Sequence, residues 1–146
     1  MHKVSFSPQF EKEATAMGHS LKDLKADLKL HLDSIGTGTM PVHYLGRTGV
    51  FTYPQAVVDS DLHRIHVLDP SCPNFNATEQ AAWNRAKNLH NRTSDTYFVF
   101  AKNFFEETHV CFLGIMNPAH IQCNFNQSGM KWFGPLIDAA DEFNGM

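Results

Sequence analysis

Two apolar runs in the second half of the chain constrain its fold most strongly. Residues 97–101 and 110–116 are dense in aromatic and β-branched side chains, which favour strands. The second run does not alternate apolar with polar residues, as expected for a strand that is covered on both faces. The segment Asn-Phe-Phe-Glu-Glu-Thr between the runs has the length of a hairpin loop. The two runs therefore predict a β-hairpin in a buried sheet.

The N-terminal part of the chain predicts a short strand followed by two helices. Val and Phe alternate with polar residues over residues 3–7, as in a half-buried strand. Ser7 and Pro8 then form a helix start, with Ser at the N-cap and Pro at the first helical position. A second helix begins after Ser20 and ends at Gly36. Its apolar residues recur at helical spacing: Leu21, Leu24, Leu28, Leu32 and Ile35.

The remaining segments complete an α+β fold. Residues 36–55 are predicted to be mostly loop, with an ordered piece at 44–47, and residues 56–68 to form a strand or a strand pair. Residues 77–89 are predicted to form a helix. A C-terminal helix is predicted over residues 129–143, and it starts or bends at Pro135. Consecutive strands, rather than alternating strands and helices, imply a mainly antiparallel sheet with helices on one side. We therefore expect one domain over residues 1–146, with a small sheet packed against two N-terminal helices and a C-terminal helix.

Composition and charge exclude several classes of protein and site. With 42% hydrophobic and 18% charged residues, the chain is globular and not disordered. It has no signal region and no apolar run of roughly 20 residues, so we expect a cytoplasmic protein without a membrane span. The net charge of −3 excludes a basic footprint over the whole molecule, so any RNA contact needs a local basic patch. Three cysteines without CxxC spacing argue against a disulfide framework or a zinc site.

Residues 62–68 read as a strand that carries two histidines and an arginine. Alternate residues of a strand point to opposite faces of the sheet. Arg64 and His66 therefore share one face, whereas His63 lies on the other. This geometry argues against an HxxH metal pair and groups Arg64 with His66.

Six short pieces follow one another along the chain: Leu45-Gly46-Arg47, Phe51-Thr52-Tyr53-Pro54, Ile65-His66, Arg92-Thr93-Ser94-Asp95, Pro118 with His120, and Ala139-Ala140-Asp141-Glu142-Phe143. Their order and spacing resemble the YafO-type toxins of bacterial type II toxin–antitoxin systems, from about residue 24 to residue 143. An insertion-like stretch at residues 72–91 departs from the family pattern. The family is similar to the RelE/ParE superfamily, whose small sheet on two N-terminal helices matches the fold expected above.

The resemblance implies a function and a set of partners. Proteins of this kind are ribosome-dependent endoribonucleases that cut translated mRNA, and a cognate antitoxin holds them inactive. The implied partners are the antitoxin, the ribosome and mRNA, and no cofactor is implied.

Metal-independent RNA cleavage needs a base, an acid and a cation that stabilises charge on the phosphate. Histidine suits either proton role, and arginine suits the phosphate. The resemblance favours His66, Arg92, His120 and Arg47, and strand geometry adds Arg64. Asp95 is expected to orient a histidine or to hold Arg92, and Tyr97 to stack on a base.

Structural roles remain open for these residues. His66 can be a structural histidine, and residues 92–95 can form a simple turn. His120 can be a surface loop residue, and Arg47 can anchor a loop. Tyr97 can contribute to packing alone. Ser94 is disfavoured as a nucleophile because no strained elbow motif surrounds it. Two functional alternatives also remain: a related toxin that acts on another target such as DNA gyrase, and a non-catalytic binding module on the same scaffold.

Overall fold

The structure is a computed structural model that describes residues 1–119 and 129–145. The strands of the described part are β1 (Lys3–Phe6), β2 (Leu45–Val50), β3 (Leu62–Val67), β4 (Tyr97–Lys102) and β5 (His109–Met116). They form one sheet in the order β1-β5-β4-β3-β2. β1 runs parallel to β5, and the other neighbouring strands are antiparallel. The prediction of an α+β fold with a mainly antiparallel sheet is confirmed.

The helices of the described part are α1 (Pro8–Ala16), α2 (Leu21–Ser34), α3 (Gln55–Asp59), α4 (Ala77–Arg85) and α5 (Gly129–Phe143), with a 3₁₀ turn at Leu89–Asn91. Both predicted N-caps are confirmed, since Ser7 Oγ accepts from the Phe10 N–H at 3.1 Å and Ser20 Oγ from the Asp23 N–H at 3.4 Å. Within the described residues, none of the helices has the length and apolarity to cross a bilayer.

Helices cover both faces of the sheet. On one face, Phe10 of α1 and Leu28 of α2 share a buried cluster with Phe98 of β4. On the other face, Leu136 of α5 packs in a second cluster with Val99 of β4, and α3 contributes to the same cluster. The expectation that helices lie on one side is therefore wrong. The central strands are apolar on both faces, so each face needs a cover that excludes water.

Three predicted segments differ in detail from the structure. The loop expected over residues 36–55 contains strand β2, and the strand expected from residue 56 begins with the short helix α3. Helix α5 begins at Gly129 and includes Pro135, so the helix does not start at the proline. In each case the local residue preference is outweighed by packing and pairing with distant parts of the chain.

Candidate active site

The end of β3, the start of β2 and the segment that leads into β4 border an open cleft of about 490 Å³. Its lining consists of Arg47, Arg64, His66, Asn74, Glu79, Thr93, Ser94, Asp95 and Tyr97. Five of the seven residues that the sequence indicated are among them. These five come from β2, β3, β4 and the segment before β4, so the cleft exists only in the folded sheet.

His66 lines the cleft and is 7% exposed. It is the direct cross-strand neighbour of Tyr97, with the ring centroids 4.7 Å apart and the planes inclined at 63°. His63 lies on the opposite face, as strand alternation predicts, and stacks on Phe100 at 5.1 Å. Among residues 1–119 and 129–145, no group of three or more His, Cys, Asp or Glu side chains is placed to hold a metal ion.

The backbone of Ser94 holds the His66 ring. The Ser94 N–H donates to His66 Nδ1 at 2.8 Å, and the Ser94 carbonyl oxygen lies 3.0 Å from the same nitrogen. When Nδ1 carries a lone pair it accepts from the N–H, and when it carries a proton it donates to the carbonyl. Ser94 therefore offers Nδ1 a partner in either state, and both of its contacts are to Nδ1 and not to Nε2.

The Ser94 side chain fixes this backbone in place. Its Oγ accepts from the Val67 N–H at 3.0 Å and donates to the Thr96 carbonyl at 2.9 Å. These bonds join the end of β3 to the chain that enters β4. Ser94 Oγ also accepts from the Thr96 N–H at 3.4 Å, so a serine side-chain turn spans Ser94 to Thr96.

Arg64 and Arg47 supply positive charge on one wall of the cleft. The Arg64 guanidinium lies over the rings of Phe51 and Tyr97, 4.8 and 5.3 Å from their centroids. This cation–π packing orients the planar group, and its N–H donors lie at the edge of that plane. Arg47 is exposed on the neighbouring strand β2. These two guanidinium groups are the positive charges of the cleft lining, which also holds the carboxylates of Asp95 and Glu79.

Asp95 and Glu79 bring carboxylates to the cleft lining. Asp95 is buried, and its Oδ2 accepts from Asn74 Nδ2 at 2.6 Å. Asn74 precedes α4, and Glu79 lies in its first turn. Sequence reasoning missed Asn74 and Glu79, since no motif or spacing links them to His66. Both residues lie in the insertion-like stretch at residues 72–91, and this departure from the family pattern is the one sequence feature that marked them.

Arg92 does not line the cleft, and its guanidinium is engaged elsewhere. Its Nη1 donates to the carbonyls of Val42 and Leu45, both at 3.1 Å, and its guanidinium lies 5.7 Å from the ring centroid of Trp83. Burial lowers its pKa. Both of these hydrogen bonds use Nη1 on main-chain carbonyls, and Nε is buried without a hydrogen-bond partner among the described residues. This geometry fits an anchor that ties the chain before β2 to α4.

His120, the second predicted histidine, lies outside the described residues. The residue before it, Ala119, donates its N–H to the carbonyl of Asp95 at 2.7 Å. The chain that leaves β5 therefore reaches the segment that holds His66.

A family model described as toxin YafO, type II toxin–antitoxin system, matches residues 27–145. Searches of the curated proteins and of the solved structures gave no match. The matched range covers most of the chain and includes the cleft residues from Arg47 to Tyr97.

Proposed function

This chain belongs to the YafO family of toxins of type II toxin–antitoxin systems, and on that premise we propose that it is a ribosome-dependent mRNA endonuclease that inhibits translation. The observation that carries the proposal is the cleft in which a buried, backbone-held histidine lies beside two arginines. RNA cleavage requires this combination of a proton-transfer group and fixed positive charge.

In the proposed reaction the RNA supplies its own nucleophile. A base removes the proton of a 2′-OH, the 2′ oxygen attacks the adjacent phosphorus, and the bond to the 5′ oxygen breaks as an acid protonates that oxygen. The products are a 2′,3′-cyclic phosphate and a 5′-hydroxyl. His66 serves as one of the two proton-transfer groups through Nε2, because Nδ1 is held by Ser94.

Arg47 and Arg64 bind the scissile phosphate in this scheme. Charge builds up on the phosphoryl oxygens in the transition state, and positioned guanidinium groups stabilise it. Arg64 already has its orientation fixed by Phe51 and Tyr97, so little reorganisation is needed when the phosphate arrives. Tyr97 packs against both His66 and Arg64 and lines the cleft, where it is assigned the stacking contact with a base.

His120 is proposed as the second proton-transfer group, with Asp95 positioning the chain next to it through the bond to Ala119. Arg92 is assigned a structural role and not a catalytic one. The acidic net charge is compatible with the proposal if the ribosome positions the mRNA, because the toxin then needs only local contacts with the phosphate.

The experiment that tests the function compares transcripts before and after addition of the purified protein, with and without ribosomes. We expect cuts only in ribosome-bound mRNA. Intact transcripts together with blocked DNA gyrase would favour the gyrase-directed toxin. Intact transcripts with no effect on gyrase would favour the binding module.

A further inference from the structure

The β4–β5 hairpin ends in an exposed pair of aromatic side chains. Phe105 is 95% exposed and Phe104 is 46% exposed. We define the hairpin tip as residues 103–108. Single exposed apolar residues are ordinary, but adjacent exposed phenylalanines on one turn form an apolar patch, and such patches mark interaction sites. Neither residue contributes to the cleft.

The hairpin tip is a structured turn. Asn103 Oδ1 accepts from the N–H groups of Phe105 and Glu106 at 2.9 and 3.0 Å. From the other side, Asn144 Oδ1 accepts from the Phe104 N–H at 2.9 Å, and Asn144 Nδ2 donates to the Lys102 carbonyl at 3.3 Å. The fold therefore holds the backbone of the two phenylalanines in position before any partner binds, which lowers the entropy cost of ordering the turn on binding.

A groove of about 550 Å³ adjoins the hairpin tip. It lies between the β1–α1 junction and the end of α5, and Asn103 and His109 connect it to the hairpin. Phe6, Pro8 and Phe143 give it apolar walls. The groove runs beside β1, which is the terminal strand of the sheet in the described part of the chain. The hairpin tip and the groove form one continuous surface.

The charge of this surface identifies the kind of partner. Glu106 and Glu107 follow the two phenylalanines, and Glu142 lines the groove. These carboxylates repel a phosphate backbone, so the surface does not suit rRNA or mRNA. Apolar side chains flanked by acids suit a protein segment that carries apolar and basic residues.

We propose that the hairpin tip and the groove are the docking surface for the antitoxin, with Phe105 as the anchor. The family supplies such a protein partner, because type II systems pair the toxin with an antitoxin protein. The inference rests on this family membership and not on the proposed nuclease activity.

The proposed surface lies away from the cleft. Tyr97 begins β4 beside His66, whereas Lys102 ends β4 at the hairpin tip. Five residue steps at about 3.4 Å each separate them by roughly 17 Å. Substitutions at the hairpin tip therefore leave the cleft residues in place, and antitoxin binding can be measured separately from cleavage.

The first test measures the affinity of the purified cognate antitoxin for Phe105→Ser by titration calorimetry. Leu30→Ser is the matched control, since Leu30 is also an exposed apolar residue, 50% exposed, on α2. We expect Phe105→Ser to raise the Kd about tenfold or more, and Leu30→Ser to leave it unchanged. An unchanged Kd for Phe105→Ser overturns the proposal.

The second test replaces Glu106 and Glu107 by Gln. We expect weaker antitoxin binding with a reduced dependence on salt. If these variants instead alter cleavage on ribosomes while the antitoxin Kd stays at the wild-type value, the surface belongs to the ribosome contact and the proposal is wrong. The antitoxin Kd is read without turnover, so a failure of the proposed nuclease function leaves the first test and the Kd measurement of the second test intact.

Discussion

The Nδ1 atom of His66 lies 2.8 Å from the backbone nitrogen of Ser94 and 3.0 Å from the carbonyl oxygen of the same residue. One residue thus offers both a donor and an acceptor to one ring nitrogen. The ring keeps its orientation when it gains or loses a proton, which is what an acid–base catalyst needs. Because these contacts come from the backbone, the Ser94 side chain acts on them only through the bonds that fix this backbone in place.

This relationship predicts the effect of Ser94→Ala. The substitution keeps the backbone contacts with His66 but removes the Oγ that accepts from the Val67 N–H. The Val67 N–H keeps the Thr96 carbonyl at 2.9 Å, but the buried Thr96 N–H loses the Oγ that accepts from it at 3.4 Å. We therefore expect a loss of about 1–3 kcal/mol in the free energy of unfolding. Cleavage on ribosomes should stay within about tenfold of wild type, since the His66 contacts remain. A loss of activity as large as that of His66→Ala would mean that the Ser94 hydroxyl itself takes part in the reaction.

Gly46→Ala should destabilise the fold, whereas Gly49→Ala in the same strand should not. A Cβ at Gly46 would lie 2.5 Å from the Arg92 carbonyl oxygen and 2.6 Å from both Arg92 Cβ and the Trp83 ring. A Cβ at Gly49 meets nothing within 4 Å. We expect a loss of about 3 kcal/mol for Gly46→Ala and a change within about 1 kcal/mol for Gly49→Ala, measured by urea denaturation. Equal stability of the two variants would contradict the close packing at Gly46.

Substitution of Arg92 should lower the stability of the fold, whereas substitution of Arg47 should lower cleavage activity and leave stability almost unchanged. Arg92→Ala removes the donor of two main-chain carbonyls and should lower the free energy of unfolding by roughly 3 kcal/mol. Arg47 is exposed, so Arg47→Ala should change stability by at most about 0.5 kcal/mol. Cleavage by Arg47→Ala should nevertheless fall about tenfold or more, because a phosphate contact is lost. A stable but inactive Arg92→Ala protein would restore Arg92 to a catalytic role.

The sequence predicted features that arise from neighbouring residues, and it did not predict features that arise from contacts between residues far apart in the chain. The period of two along residues 62–68 placed Arg64 and His66 on one face, because strand alternation is local. The position of the Arg92 side chain was not predictable, because its carbonyl partners precede it by 50 and 47 residues. Strand β2 was missed because Gly46 and Gly49 lack strand preference, and pairing with β3 supplies what local preference does not.

The missed part of the cleft has a similar cause. Asn74 and Glu79 reach the cleft because α4 is fixed against the sheet by Trp83, whose Nε1 donates to the His43 carbonyl at 2.7 Å. That contact joins residues 40 positions apart. No local pattern indicates it.

His31 should make stability depend on pH. It is fully buried, its Nε2 lies 2.9 Å from Thr48 Oγ1, and burial together with the charge of Arg92 lowers its pKa from 6.5 to about 4. The unfolded chain takes up a proton at higher pH than the folded protein. The free energy of unfolding is therefore highest above pH 6.5 and falls by roughly 3 kcal/mol as the pH drops to 4.

The control for this prediction is His31→Gln, which can still form a hydrogen bond with Thr48 but does not titrate. The pH dependence of urea denaturation between 6.5 and 4 should be shallower for this variant. His19 and His63, whose pKa values are also lowered by burial, are present in both proteins and cancel in the difference. Parallel curves would contradict the assignment to His31.

The central claim is that the cleft around His66 cuts mRNA on the ribosome. The most direct measurement maps the cut ends of ribosome-bound mRNA with wild-type protein, His66→Ala and His63→Ala. His63 is the matched control, because it lies three residues away on the opposite face of β3. We predict that His66→Ala lowers the cleavage rate by about 10²- to 10⁴-fold, and that folded His63→Ala retains the wild-type cuts. Cleavage at the wild-type rate by a folded His66→Ala protein would contradict the account.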